Sequence, residues 1–326
     1  MSEEQIDGID YFVDLQPETE DFLDAVLAGL ALPQKAISPM FFYDAVGSKI
    51  FDNICEAPEY YVTRTEIALM GDIQAELNDL VAPGSIVVEY GCGSSLKIRA
   101  LLSALKSPAE YLAIDISKSH LIATVKEIAA DYSEIRVGAI CADFSDALEW
   151  PRQATLDGAG RLAFFPGSTI GNQTPDEAIQ FLTRVRHMVG DDGSLLIGVD
   201  LRKDIDVLNS AYNDVGGFTA DFNLNLLHRM KSELGAEIDV SAFAHDAFYN
   251  EEVGRIEMHL VSQSEQILKI NGKGFEFKKG ETIHTENSYK YSIEGFVELA
   301  GEARFGAVKS WTDKQNFFSI HYLKAI

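Results

Sequence analysis

Between Ser85 and Asp200 the sequence alternates short apolar runs, rich in β-branched and aromatic residues, with longer segments of helical period. The runs are SIVVEY (85–90), YLAID (111–115), IRVGAICAD (135–143), RLAFFPG (161–167) and SLLIGVD (194–200). LKIRALLSAL, SHLIATVKEIAADY and TPDEAIQFLTRVRHMV lie between them. A strand apolar on both faces needs cover on both faces, and an intervening helix supplies it while returning the chain to start the next strand in the same direction. The pattern predicts a doubly wound α/β core around a parallel sheet.

Outside this stretch the pattern changes. The first sixty residues alternate short helical patterns with turn signals: TEDFLDAVLAGLAL, with Thr19 as candidate cap, then GSKIFDNICEAPEYY, interrupted by Pro58. They read as a helical leader rather than part of a sheet. A longer helical pattern, TRTEIALMGDIQAELNDLV, runs from Thr63 to the Pro83-Gly84 stop. Residues 203–290 read as two helices followed by a β meander, and the last 36 residues as a helix and an antiparallel hairpin. The expected division is a core of 62–200 plus 291–326, and a second, discontinuous α+β domain of 1–61 plus 201–290.

Charge narrows the partners. Twenty-seven Lys and Arg face fifty-one Asp and Glu, a net charge of -24. Nucleic-acid affinity rests on basic residues displacing phosphate counterions, so neither nucleic acid nor an anionic membrane surface is an expected partner. With 46% apolar residues the chain is nonetheless too hydrophobic to be a disordered acidic segment. Its acidic start lacks the pattern of a secretory signal, and no run approaches the roughly 18 apolar residues that cross a bilayer. Cys55, Cys92 and Cys141 are odd in number and far apart, and the seven His form no ligand motif. A reducing cytoplasm, no bound metal and a monomeric state are expected.

The strand SIVVEY ends directly in GCGSSLK, so Gly91 and Gly93 stand where a first parallel strand turns into its helix. Glycine there permits positive φ and close approach of the backbone to a ligand. Glu89 precedes the turn, Asp115 closes the second strand 22 residues after Gly93, and Asp143-Phe144 close the third. An acid at the end of the second strand is placed to accept both ribose hydroxyls of a nucleotide. The third glycine of the dinucleotide fingerprint is replaced by Leu96, which disfavours a nicotinamide enzyme. Residue chemistry leaves that enzyme, an S-adenosylmethionine enzyme and a vacant nucleotide fold in play. The ExGxG turn, Asp115 and ADF together resemble a class I S-adenosylmethionine-dependent methyltransferase, whose seven-stranded Rossmann-like sheet is commonly completed by such a terminal helix and hairpin.

The resemblance extends over nearly the whole chain. YDAVGSKIFDNICEAPEYYVTRTE, VVEYGCGSSLKIRALLSAL, FFPGSTIGN, AYNDVGGFTADFNLNLLHRM, RIEMHLVS and HTENSYKYS fall in the order and spacing of the ergothioneine-pathway histidine Nα-methyltransferase family. That resemblance implies trimethylation of L-histidine, through its mono- and dimethyl forms, to hercynine, with S-adenosyl-L-homocysteine as by-product. It implies Tyr60 (or its neighbour Tyr61), Gly91, Lys97, Asp115, Asp143 and Phe144 as cofactor-binding residues. For the substrate it implies Asn172 and Tyr212 on the carboxylate and amine, Glu286 and Ser288 on the imidazole, and Met258 and Tyr43 lining the site. Asn172 and Tyr43 are its candidates beside the reacting nitrogen. Methylation of a different small amine on the same scaffold is the alternative.

Overall fold

A computed structural model describes residues 2–3, 5–17, 21–93, 95–144, 146, 148–154 and 160–326. Thr19, the candidate cap, lies outside the described residues. The chain divides into two compact units: 1–19, 64–201 and 291–326 in one, 20–63 and 202–290 in the other.

The first unit is built on a mostly parallel sheet. Its central strands are β4 (Ile86–Tyr90), β5 (Glu110–Asp115), β6 (Arg136–Cys141), β7 (Arg161–Phe165) and β8 (Ser194–Asp200). The terminal hairpin supplies β14 (Phe305–Thr312) and β15 (Phe318–Ala325). These seven run in the order β6-β5-β4-β7-β8-β15-β14, parallel from β6 to β8, with β15 inserted antiparallel between β8 and β14. All five residues of β4 and all seven of β8 are buried, as two-sided cover requires. The crossovers are α5 (Ser95–Ala104), α6 (Lys118–Asp131) and α7 (Pro175–Val189), and α10 (Ile293–Glu302) precedes the hairpin.

Two expectations change here. The leader is not wholly helical: β2 (Tyr11–Asp14) pairs in parallel with β6, and β1 (Ser2–Glu3) pairs antiparallel with β2, so the sheet has nine strands among the described residues. Residues 1–19 thus belong to the sheet unit rather than to the second one. The reason is local: YFVD is a run of four buried residues, and the free edge of β6 offers it hydrogen bonds. The Tyr11 ring lies across β6 where an added Cβ on Gly138 would stand 2.0 Å from it, so glycine is required there. The Tyr11 hydroxyl donates to the fully buried Glu110 carboxylate. The long helix expected over 63–81 is broken at Ile73 into α3 (Val62–Asp72) and α4 (Gln74–Leu80).

The second unit packs helices α1 (Phe22–Leu30), α2 (Ala45–Glu56), α8 (Ile205–Tyr212) and α9 (Phe218–Glu233) with a four-stranded sheet. That sheet holds β3 (Lys35–Ala36), β9 (Phe243–Asn250), β10 (Arg255–Ser262) and β13 (Thr282–Tyr289) in the order β3-β13-β10-β9. A separate hairpin pairs β11 (Gln266–Ile270) with β12 (Lys273–Phe277). Asp21 caps α1, accepting from Leu23 and Asp24 N–H. β10 and β13 pair antiparallel with Met258 opposite Glu286, and the register then slips so that His259 faces His284. Thr285, the extra residue of this bulge, donates its hydroxyl to Asn223 and Met258 oxygens, fixing the slip.

Candidate functional site

The carboxyl ends of β6, β5, β4 and β7 lie side by side at one edge of the parallel sheet, where the winding direction reverses between β4 and β7. Open α/β sheets bind ligands at this switch point. The glycine turn, Asp115, Asp143-Phe144 and the GSTIGN segment all follow those strand ends. Gly91 has φ +76°, a left-handed conformation that β-carbon residues rarely adopt, and a Cβ on Gly93 would meet nothing within 4 Å.

Asp115 organises the turn. One carboxylate oxygen accepts the Cys92 N–H at 3.0 Å and the other the Ser117 N–H at 2.8 Å. A carboxylate offers about four acceptor positions, so Asp115 retains capacity for ribose hydroxyls. His120 Nε2–H donates to the Cys92 carbonyl at 3.0 Å, bracing the turn from α6. Phe144 packs edge-on against Tyr90, Phe165 and Phe181, with centroids 6.3, 6.1 and 5.8 Å away, which holds the Asp143-Phe144 segment beside the loop. Burial pushes the Cys92 thiol well above its ordinary range, so it is not a nucleophile. Glu89 points into the core, accepts the Tyr111 hydroxyl at 2.5 Å and is pushed up to about 8 by burial.

Lys97 pairs at 2.7 Å with the buried Glu66 of α3, a residue that sequence reasoning did not single out. Both Glu66 oxygens also accept the Gly167 N–H, at 3.0 and 2.9 Å, tying Lys97 to the PGSTIGN turn. Gly198 on β8 leaves room for Glu66, since a Cβ there would stand 2.0 Å from its oxygen. In the same turn Ser168 is left-handed, and its hydroxyl accepts the Asp200 N–H at 2.9 Å. Asn172 ends the 3-10 turn Thr169–Asn172, half-buried, just before Thr174 and Glu177 close a capping box on α7.

The remaining substrate candidates gather in the second unit. Tyr60 packs edge-on with Tyr212 at 6.3 Å and with Phe51 at 6.5 Å, and Phe51 in turn meets Tyr43 at 5.6 Å. Burial, then the Glu286 charge, raise the Tyr43 hydroxyl above its ordinary value; burial, Tyr212 and Glu286 do the same for Tyr60. Tyr43 exposes 47% of its surface. Tyr61 is occupied otherwise: the Lys203 ammonium sits over its ring and donates to its hydroxyl. Tyr60 is therefore the neighbour that joins the ring cluster.

Glu286 and Ser288 stand at alternate positions of β13 and so share a face. Burial pushes the Glu286 carboxyl up to about 7, with the Lys290 ammonium pulling it back. Met258 is 1% exposed and lies opposite Glu286. The other face of β10 and β13 brings Glu257, His259 and His284 within 4.8 Å of one another, a grouping absent from the sequence reading. The two imidazoles are stacked, with ring centroids 4.7 Å apart and planes at 12°. Arg255 already neutralises Glu257 at 2.7 Å. The grouping is a hydrogen-bonded patch in form.

A parallel sheet with this strand order, a glycine turn after its first central strand and acids closing the next two define a class I methyltransferase, a nucleotide-sulfonium enzyme. The chain belongs to the histidine-specific, S-adenosylmethionine-dependent methyltransferases, whose family model matches residues 22–325. It is 38% identical over 301 residues to a histidine N-alpha-methyltransferase of Mycobacterium tuberculosis, covering 90% of this chain and 92% of that one. To ergothioneine biosynthesis protein 1 of Neurospora crassa it is 26% identical over 295 residues, 89% of this chain and 33% of the longer protein. A 4-dimethylallyltryptophan N-methyltransferase of Trichophyton verrucosum is 28% identical over 317 residues, 92% of each chain.

Proposed function

We propose that this protein transfers three methyl groups in turn from S-adenosylmethionine to the α-amino group of L-histidine, giving hercynine and one S-adenosylhomocysteine per transfer, as a step towards ergothioneine. The observation that carries the choice of histidine is the pair Glu286 and Ser288 on one face of β13, a carboxylate and a hydroxyl spaced to meet two ring nitrogens. A histidine N-alpha-methyltransferase 38% identical over 90% of the chain supports the same reading.

The residues of the glycine turn fit the cofactor: Gly91 and Gly93 leave the backbone open to approach, and Asp115 is held with acceptor positions to spare. When bound, the cofactor supplies an electrophilic methyl on a sulfonium with a neutral thioether as leaving group. The protein's part is to hold a neutral amine in line with that methyl, about 3 to 3.5 Å away, and to exclude water. The amine is largely protonated at neutral pH, so a proton leaves before each of the first two attacks, and the third starts from a tertiary amine once its own proton is lost. Within the second unit, Tyr212 is the residue that this reading assigns to the amino acid's polar end, with Tyr43 and Tyr60 in the same ring cluster. With hydroxyls raised above their ordinary range Tyr43 and Tyr60 remain neutral donors rather than phenolate bases.

Substrate range is tested by incubating the full-length protein with S-adenosylmethionine and a panel of amino acids that includes histidine, tryptophan and leucine, with products weighed by mass spectrometry. A histidine product three methyl groups heavier is expected. Methylation of another amine in its place would establish the alternative substrate class.

A further inference from the structure

Lys290 follows the end of β13 and is 2% exposed, among the least accessible charged side chains of the protein. Its Nζ donates to Ser288 Oγ at 2.8 Å and to the Tyr212 hydroxyl at 3.3 Å, and lies 5.1 Å from the centroid of the Tyr212 ring. Glu286, Ser288 and Lys290 occupy positions i, i+2 and i+4, the spacing of one strand face. Burying an ammonium is costly unless it is hydrogen-bonded and paired, and two of the bonds that hold Lys290 go to residues assigned to the substrate.

An ammonium only donates. Ser288 Oγ and the Tyr212 oxygen must each accept from it, and the positive charge turns their own hydrogens away. Ser288 is thereby left as a donor towards whatever lies on its far side. Glu286, ionised, only accepts. A ring that satisfies Glu286 and Ser288 together has to present one N–H and one bare nitrogen. Neutral imidazole does so. Indole has the N–H without the bare nitrogen, and an aliphatic side chain has neither.

We propose that Lys290 is a specificity-determining positioning residue: by fixing Ser288 as a donor it makes this face select a neutral imidazole, in one tautomer, with its bare nitrogen on Ser288 and its N–H on Glu286. This rests on the reading of Glu286 and Ser288 given above and adds the residue that sets their polarity. Lys290 also acts on Glu286 through space, favouring its charged form against burial. Without Lys290 the carboxyl holds its proton to higher pH, becomes a donor facing a donor, and loses its hold on the ring N–H.

The test uses the full-length protein and its Lys290→Met and Ser288→Ala variants. Histidine KM and kcat are measured between about pH 6 and pH 9, with S-adenosylmethionine affinity by calorimetry as a control for folding. Lys290→Met should raise histidine KM by about 10- to 100-fold, as expected for losing a charge-assisted hydrogen-bond arrangement, with kcat much less affected. The inflection in its KM profile that reports Glu286 should move to higher pH. Ser288→Ala should leave that inflection in place and lower the preference for histidine over tryptophan. Unchanged KM and an unmoved inflection in a Lys290→Met protein that still binds S-adenosylmethionine would overturn the inference while leaving histidine methylation standing. If Lys290→Met does not fold, an unaltered histidine-to-tryptophan ratio in Ser288→Ala overturns it instead. Absence of histidine methylation by the unmodified protein would sink the underlying reading and this inference together.

Discussion

Single side chains divide here by what holds them. Asp115 is fixed at both oxygens by main-chain donors, so it shapes the glycine turn as well as offering acceptors. Asp115→Ala should therefore weaken S-adenosylmethionine binding by roughly 10- to 100-fold, the loss of charge-assisted hydrogen bonds, as read by calorimetry. In the proposed reading, Glu286 is the group that makes recognition depend on pH. Its carboxyl, pushed up to about 7 by burial, is ionised above that value, so histidine KM should rise as pH falls through it. Glu286→Gln should remove this inflection from the KM profile and leave those of histidine itself. Asp115 is singled out by its place at the end of the second strand of the alternating pattern, and Glu286 only by the family resemblance. Neither signal points to Lys290 or Glu66. In NSYKYS a lysine reads as a solvated strand residue, and only tertiary packing buries it. Glu66 meets Lys97 from a helix that precedes the alternating pattern, and no local spacing announces such a pair.

At the scale of elements, the five parallel strands and three crossover helices follow the sequence pattern closely, since each buries an apolar run of recognisable period. β2 escaped because four residues are too few to show a period, and its strand character comes from the neighbour it joins. The Tyr11 hydroxyl on the buried Glu110 holds that junction, together with Arg136 at 3.3 Å from the same carboxylate. Tyr11→Phe should cost about 1 to 3 kcal/mol in urea unfolding, the penalty for removing a partner from a buried charged group. The start of α7 is similarly exacting. Thr174 and Glu177 satisfy two helix-terminal donors reciprocally, two residues after Asn172. Thr174→Ala should lower stability by about 1 kcal/mol with an unchanged denaturant slope, which would mark a local loss and not a change in the unfolded chain.

Among the described residues, Glu89 and Glu286 are buried carboxyls whose ionisation opposes folding, Glu89 over the wider pH range. Glu89 is pushed from its ordinary 4.5 up to about 8 by burial, so between those values the folded state holds a proton that the unfolded state has lost. Stability should accordingly fall as pH rises from about 4.5 to about 8. Glu89→Gln retains an oxygen for the Tyr111 hydroxyl and should flatten that slope, raising the melting temperature most at the alkaline end. A second whole-chain property is that the polypeptide leaves and re-enters the sheet unit twice, so the unit is assembled from three separate lengths of chain. The antiparallel partner of β8 is β15, which comes more than a hundred residues later. On the ribosome, β8 must therefore wait with one edge bare while residues 202–290 of the second unit and the terminal helix are made. For that interval the nascent chain presents an unpaired, apolar strand to its surroundings, the kind of edge that draws intermolecular pairing. Yield in cells should thus depend on chaperone protection during synthesis more than the finished protein's stability would suggest.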